Sequence, residues 1–112
     1  MKIRTTPIFD KLSKKYMDDE LLNELYCFLH LNPEAGMIIP GSGGVRKLRW
    51  KNSSNNKGKS GGIRILYHYT NDVLILLISL YSKSDQENLS DKYKAELKQK
   101  LPMLVAKYTE DL

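Results

Sequence analysis

Apolar residues fall at helical spacing twice in the first third of the chain, alternate in the middle and return to helical spacing at the end. Ile8, Phe9, Leu12 and Tyr16 recur with the period of a helix, and Thr6 followed by Pro7 opens it. A threonine caps free amides, and a proline at the first helical position gives up a donor that has no partner there. Met1 to Thr5, centred on Ile3, reads as an edge strand. Leu21, Leu22, Leu25, Phe28 and Leu29 make a second apolar face behind Asp18, Asp19 and Glu20, whose charge suits a helix N-terminus, and Asn32 and Pro33 end it. The short join between the two helices predicts an antiparallel helical hairpin with one shared apolar side.

Beyond the glycines at 41, 43 and 44 the period changes to two. Val45, Lys47 and Arg49 alternate with Arg46, Leu48 and Trp50, which predicts a half-buried strand with one cationic face. Asn52 to Gly62 holds Ser, Asn, Lys and Gly with no apolar residue and is predicted to be an exposed loop. Ile63 to Tyr69 and Val73 to Tyr81 are rich in β-branched and aromatic residues, and Asn71 and Asp72 suit a tight turn between them. The second of these strands is apolar on both faces, as a central strand covered by a helix should be. Ser90 can cap a last helix in which Tyr93, Leu97, Leu101, Leu104 and Tyr108 recur, with Pro102 placed to kink or divide it. The order predicts an α+β fold in a single domain over 1–112: an antiparallel sheet with an N-terminal helical hairpin and a C-terminal helix.

Composition narrows the class. At 112 residues with 41% hydrophobic positions the chain is long enough for one core without disulfides or metals. Cys27 is the only cysteine, which excludes an internal disulfide and multi-cysteine metal patterns and leaves it most at home in a buried helix face. The N-terminus lacks an apolar signal region and the longest apolar run falls far short of the roughly 20 residues of a membrane helix. The expectation is a cytoplasmic protein with no membrane partner.

Charge changes the picture more. The net charge is +5, yet no Asp or Glu lies between Glu34 and Asp72, where Arg46, Lys47, Arg49, Lys51, Lys57, Lys59 and Arg64 all fall. Those seven exceed the net charge, so the basicity is local. A one-sign stretch of this kind is the footprint of a polyanion site. Two phosphate-binding motifs fail: Gly58, Lys59 and Ser60 lack the glycine five residues earlier, where Ser53 stands, and Arg46 replaces the third glycine of a dinucleotide fingerprint. His30 and His68 differ too much in setting and spacing to make a metal site, so no metal and no cofactor are expected. Asn52 matches a glycosylation acceptor, which has no consequence without secretion.

By strand parity Lys47 and Arg49 share one face, and Arg64 opens the next strand after Gly61 and Gly62, so three cations can converge. Tyr81 and Lys83 lie where the central strand leaves the sheet and can reach the same end. Three segments carry a family likeness: Pro-Gly-Ser-Gly-Gly-Val-Arg-Lys-Leu-Arg over Pro40 to Arg49, Lys-Gly-Lys-Ser-Gly-Gly-Ile-Arg-Ile-Leu-Tyr over Lys57 to Tyr67, and Leu-Tyr-Ser-Lys-Ser over Leu80 to Ser84. With the element order, they make the chain resemble the RelE/HigB toxins of bacterial toxin–antitoxin systems, within the RelE/ParE superfamily, along nearly its whole length. The first 16 residues match least specifically.

The resemblance implies a RelE-like fold and a ribosome-dependent mRNA endonuclease. Such a toxin cuts mRNA in the ribosomal A site, with the RNA 2′-hydroxyl as nucleophile, and so inhibits translation. It implies as partners a helix-turn-helix antitoxin, the ribosome through its small-subunit RNA, and mRNA. Carried over by residue, Lys47 and Arg49 match the family's basic strand positions, Arg64 its arginine after the glycine pair, and Tyr81 with Lys83 the segment closing the site. Arg64 suits charge stabilisation at phosphorus, because its planar fork can hold two phosphate oxygens, and Lys47 or Arg49 can share that task. A lysine among cations can serve as base, and Tyr81 or Lys83 as acid. His68 shares parity with Arg64, although the structural reading of it is favoured. The family's C-terminal catalytic aromatic has no counterpart beyond Lys83 unless Tyr81 takes its place. Arg46, Lys51, Lys57 and Lys59 are read as RNA-binding and ribosome-binding residues, since flexible side chains position poorly for chemistry. The alternative is a non-enzymatic relative on the same scaffold, a gyrase-inhibiting toxin or an RNA-binding module.

Overall fold

The computed structural model describes residues 1–51, 62–83 and 90–110. Its elements are β1 (Lys2–Thr5), α1 (Pro7–Tyr16), α2 (Asp19–Leu31), β2 (Met37–Ile38), β3 (Val45–Trp50), β4 (Ile63–Thr70), β5 (Leu74–Ser82) and α3 (Asp91–Thr109). The strands form a sheet in the order β1-β5-β4-β3-β2, with α1 and α2 on one face and α3 on the other. The protein is α+β. No helix among the described residues is long and apolar enough to cross a membrane.

Local chemistry sets the helix starts. Thr6, Asp18 and Ser90 each accept a bond from the amide three residues on, at Phe9, Leu21 and Tyr93. Behind these caps, Phe9, Leu25 and Leu29 are fully buried against Ile63, Ile65, Tyr67, Ile75 and Leu77. Each such side chain contributes about 1.5–3 kcal/mol relative to an exposed one. On the other face Leu97 and Leu101 of α3 cover Val45, Leu66, Leu74 and Leu76.

The sheet is mixed rather than antiparallel. β1 runs parallel to β5, with Lys2 opposite Leu74 and Thr5 opposite Leu77. This pairing joins distant parts of the chain and leaves no local pattern. Thr6 secures it: its amide donates to the Leu77 carbonyl at 3.1 Å and its hydroxyl to the Ile78 carbonyl at 2.7 Å, while the same oxygen caps α1. α1 is thereby laid along β5. The two N-terminal helices do share an apolar side, but it is spent on the sheet, so they form a layer on that sheet rather than a hairpin standing ahead of it.

Two smaller expectations also change. Cys27 is exposed, because Leu21, Leu25 and Leu29 define the inner face of α2 and Cys27 lies about 200° around the helix from both Leu25 and Leu29. Pro102 does not divide α3: it is exposed within a helix that runs from Asp91 to Thr109. Strand β2, two residues long, is too short to show a period.

β5 carries an irregularity that matters for the site. Its pairing with β4 steps from Leu66–Ser79 to Tyr67–Leu77, leaving Ile78 as an extra residue. Leu74, Leu76 and Ile78 therefore face α3, and beyond the bulge Tyr81 faces α3 as well, while Ile75, Leu77 and Leu80 face α1 and α2.

The segment joining α2 to the sheet is pinned by one side chain. The Tyr67 hydroxyl donates to the Pro33 carbonyl and accepts from the Gly36 amide, both at 2.8 Å, and its ring leaves no room for a Cβ at Gly36. Tyr67→Phe strands the buried Gly36 amide, which costs about 1–3 kcal/mol. A lowered midpoint in urea with unchanged slope is the expected result.

Candidate nucleic-acid interface

The cations of the central segment are sorted by strand pairing. Arg49 on β3 stands directly opposite Arg64 on β4, and Arg64 directly opposite Tyr81 on β5. Residues directly opposite in a sheet point to the same face, about 4.8 Å apart from strand to strand. Arg49, Arg64 and Tyr81 thus form one row across three strands. Lys47 lies on the same face one rung away, where the row reads Lys47, Leu66 and Ser79. Lys83 follows Tyr81 out of the sheet, its amide donating to the Gly62 carbonyl at 3.3 Å. Gly62 adopts φ +67°, and a Cβ there would collide with the Trp50 carbonyl. That glycine permits β4 to begin at Ile63, with Arg64 in register opposite Arg49.

Exposure grades along the row. Arg49 and Lys83 are exposed, Lys47 and Arg64 half-buried and Tyr81 buried. The Tyr81 hydroxyl has no hydrogen-bond partner among the described residues. Burial raises its pKa above 10.0, the Arg64 charge opposes that shift, and Tyr93 adds to it. Its neighbours are therefore a guanidinium on one side and the first turn of α3 on the other. Tyr93 bonds Ser79, and its own pKa is raised mainly by burial, the Ser79 bond working against the rise. A buried, unsatisfied hydroxyl beside a cation is costly for stability and is a recurrent mark of a working site.

The remaining expected residues divide. Arg46 points to the opposite face and is held by the segment after α2: its guanidinium donates to the Gly36 carbonyl at 2.8 Å and the Glu34 carbonyl at 3.2 Å, and pairs with the Glu34 carboxylate at 3.5 Å. It stands apart from the row. Lys51 is exposed just past β3, while Lys57 and Lys59 lie outside the described residues. His68 holds its Nδ1 2.9 Å from the Gly44 carbonyl, bracing the glycine turn, and lies four residues along β4 from Arg64, about 13 Å. It is structural. Among the described residues no group of three or more His, Cys, Asp or Glu side chains comes together in a way that could hold a metal ion.

No protein-family model matches the chain. The site is therefore described by its own residues. Two of them, Ser79 and Tyr93, went unread in the sequence. Tyr93 carries the helical period of α3 and so reads as core, and Ser79 reaches this face only through the bulge in β5. In chemical terms the row offers fixed positive charge, a protonated hydroxyl and an open cationic margin, a set suited to a phosphodiester.

Proposed function

We propose that this protein is the toxin of a toxin–antitoxin pair, a cytoplasmic, RelE/HigB-like endoribonuclease that cuts mRNA in the ribosomal A site and so stops translation. The observation that carries the reading is the register that sets Arg49, Arg64 and Tyr81 side by side, with Lys47 one rung away. In the cleavage step the 2′-oxygen attacks phosphorus, the bond to the 5′-oxygen breaks, and a 2′,3′-cyclic phosphate and a 5′-hydroxyl result. Arg64 neutralises the charge that builds on the phosphate oxygens, with Arg49 beside it. Lys47 is the candidate to accept the 2′ proton, and Tyr81 or Lys83 to deliver one to the leaving oxygen. In this reading a helix-turn-helix antitoxin holds the enzyme inactive, and Lys51, Lys57 and Lys59 dock on small-subunit RNA.

The covered hydroxyl of Tyr81 favours one competing reading, a non-enzymatic RNA-binding module or gyrase-inhibiting relative that uses the same cations without the acid. Primer extension on cellular mRNA after induction separates them. Cuts in phase with codons are expected. Intact mRNA during growth arrest rejects the enzyme, and accompanying DNA damage selects the gyrase-inhibiting reading.

A further inference from the structure

The cationic face does not stop at the sheet. α3 crosses it obliquely: Tyr93 in the first turn bonds Ser79 on β5, and Lys98, five residues on, lies against Gly43 at the head of β3. A Cβ on Gly43 would sit 3.2 Å from the Lys98 Cγ and 3.3 Å from its Cα, and Gly43 has φ +81°, so glycine is what lets the helix approach so closely. One flank of α3 therefore looks along β3. Helical spacing places Lys94 one turn before Lys98 on that flank, while Leu97 and Leu101 turn into the core. Glu96, the nearest acid in sequence, lies on the opposite flank, where it acts on Tyr93. Lys94 is half-buried, Lys98 is exposed, and neither makes an ion pair among the described residues.

We infer that Lys94 and Lys98 form the second wall of a trough for a nucleic-acid phosphate backbone, facing Lys47 and Arg49 across Arg64. Lys47 and Arg49 stand about 7 Å apart along their strand. Lys94 and Lys98 rise about 6 Å along their helix. Both intervals approach the separation of successive phosphates in an extended strand, so each wall can follow one. The inference rests on reading the row as an RNA site, and it assigns α3 a share of that site which the central basic segment alone does not supply.

The test compares the full chain with its Lys94→Gln/Lys98→Gln variant in co-sedimentation with purified bacterial ribosomes, empty or programmed with mRNA, over a potassium chloride series at fixed magnesium. Two lost phosphate contacts should flatten the plot of log affinity against log salt by about 1.4. The control Lys11→Gln/Lys14→Gln, on the other face of the sheet, should leave it unchanged. A flattened slope with both ribosome forms assigns the wall to ribosomal RNA, and one confined to programmed ribosomes assigns it to mRNA. An unchanged slope in a wild type that binds and cuts overturns the inference alone. Absence of ribosome binding by the wild type overturns the functional reading and the inference with it.

Discussion

If the protein is the ribosome-dependent endonuclease proposed above, Arg64→Ala should lower the rate of A-site cleavage by about 100- to 1,000-fold, the usual cost of removing one preorganised donor from a developing oxyanion, and should abolish growth arrest on induction. The site predicts this size of effect because Arg64 is central to the row, flanked by Arg49 and Tyr81 in register, and is half-buried, where charge is screened less than at the rim. Arg64→Lys keeps the charge but loses the planar fork, so it should recover only part of the rate. The readouts are single-turnover cleavage of mRNA on programmed ribosomes and a thermal melt to show that the variant is folded. A folded Arg64→Ala protein of full toxicity sinks the site assignment.

Tyr81→Phe should move stability and activity in opposite directions. Its hydroxyl is buried without a hydrogen-bond partner among the described residues, and such a group costs about 1–3 kcal/mol. Deleting it should leave the folded state unchanged or stabilise it by about 1 kcal/mol. If that hydroxyl delivers the proton to the leaving oxygen, cleavage falls by about 100-fold or more. The raised pKa adds a sign that can be measured. Burial holds the phenol protonated, so it is available as an acid below pH 10.0, and above that pH stability falls because the unfolded phenol ionises before the folded one. An alkaline fall in cleavage beginning well below pH 10.0, or a Phe variant that cuts at the wild-type rate, removes Tyr81 from the chemistry and leaves Lys83 as the acid.

Much of this arrangement was legible in the sequence because it is locally encoded. Thr6 before Pro7, the acidic run at Asp18 and the serine at 90 each announce a helix start through the amides they satisfy. The alternation in β3 separates Lys47 and Arg49 from Leu48 and Trp50, and Asn71 and Asp72 take the positive φ values that their turn requires. Parity along a strand predicts which cations share a face. Register between strands is another matter, since it is set by many side chains at once. Nothing in the sequence places Arg49 opposite Arg64 rather than a residue away, and nothing marks Ile78 as an extra residue. The parallel edge strand was equally silent: its partner lies about 70 positions on, and the bond that fastens it comes from Thr6, a residue already explained as a cap. The contacts of Arg46 were silent for a different reason. Its charge counts toward the basic segment, but its parity and the carbonyls of Glu34 and Gly36 turn it into a fastening for the chain after α2.

The bulge at Ile78 divides β5 into two reading frames. Up to Ile78 the even-numbered positions lie under α3 and build its core, and from Ser79 onward the odd-numbered positions take over that face. The strand's first half meets α3 with plain hydrocarbon, and its second half meets it with Ser79 and Tyr81. A single surplus residue thus lets one continuous strand change the parity that serves α3 while keeping that helix covered along its length.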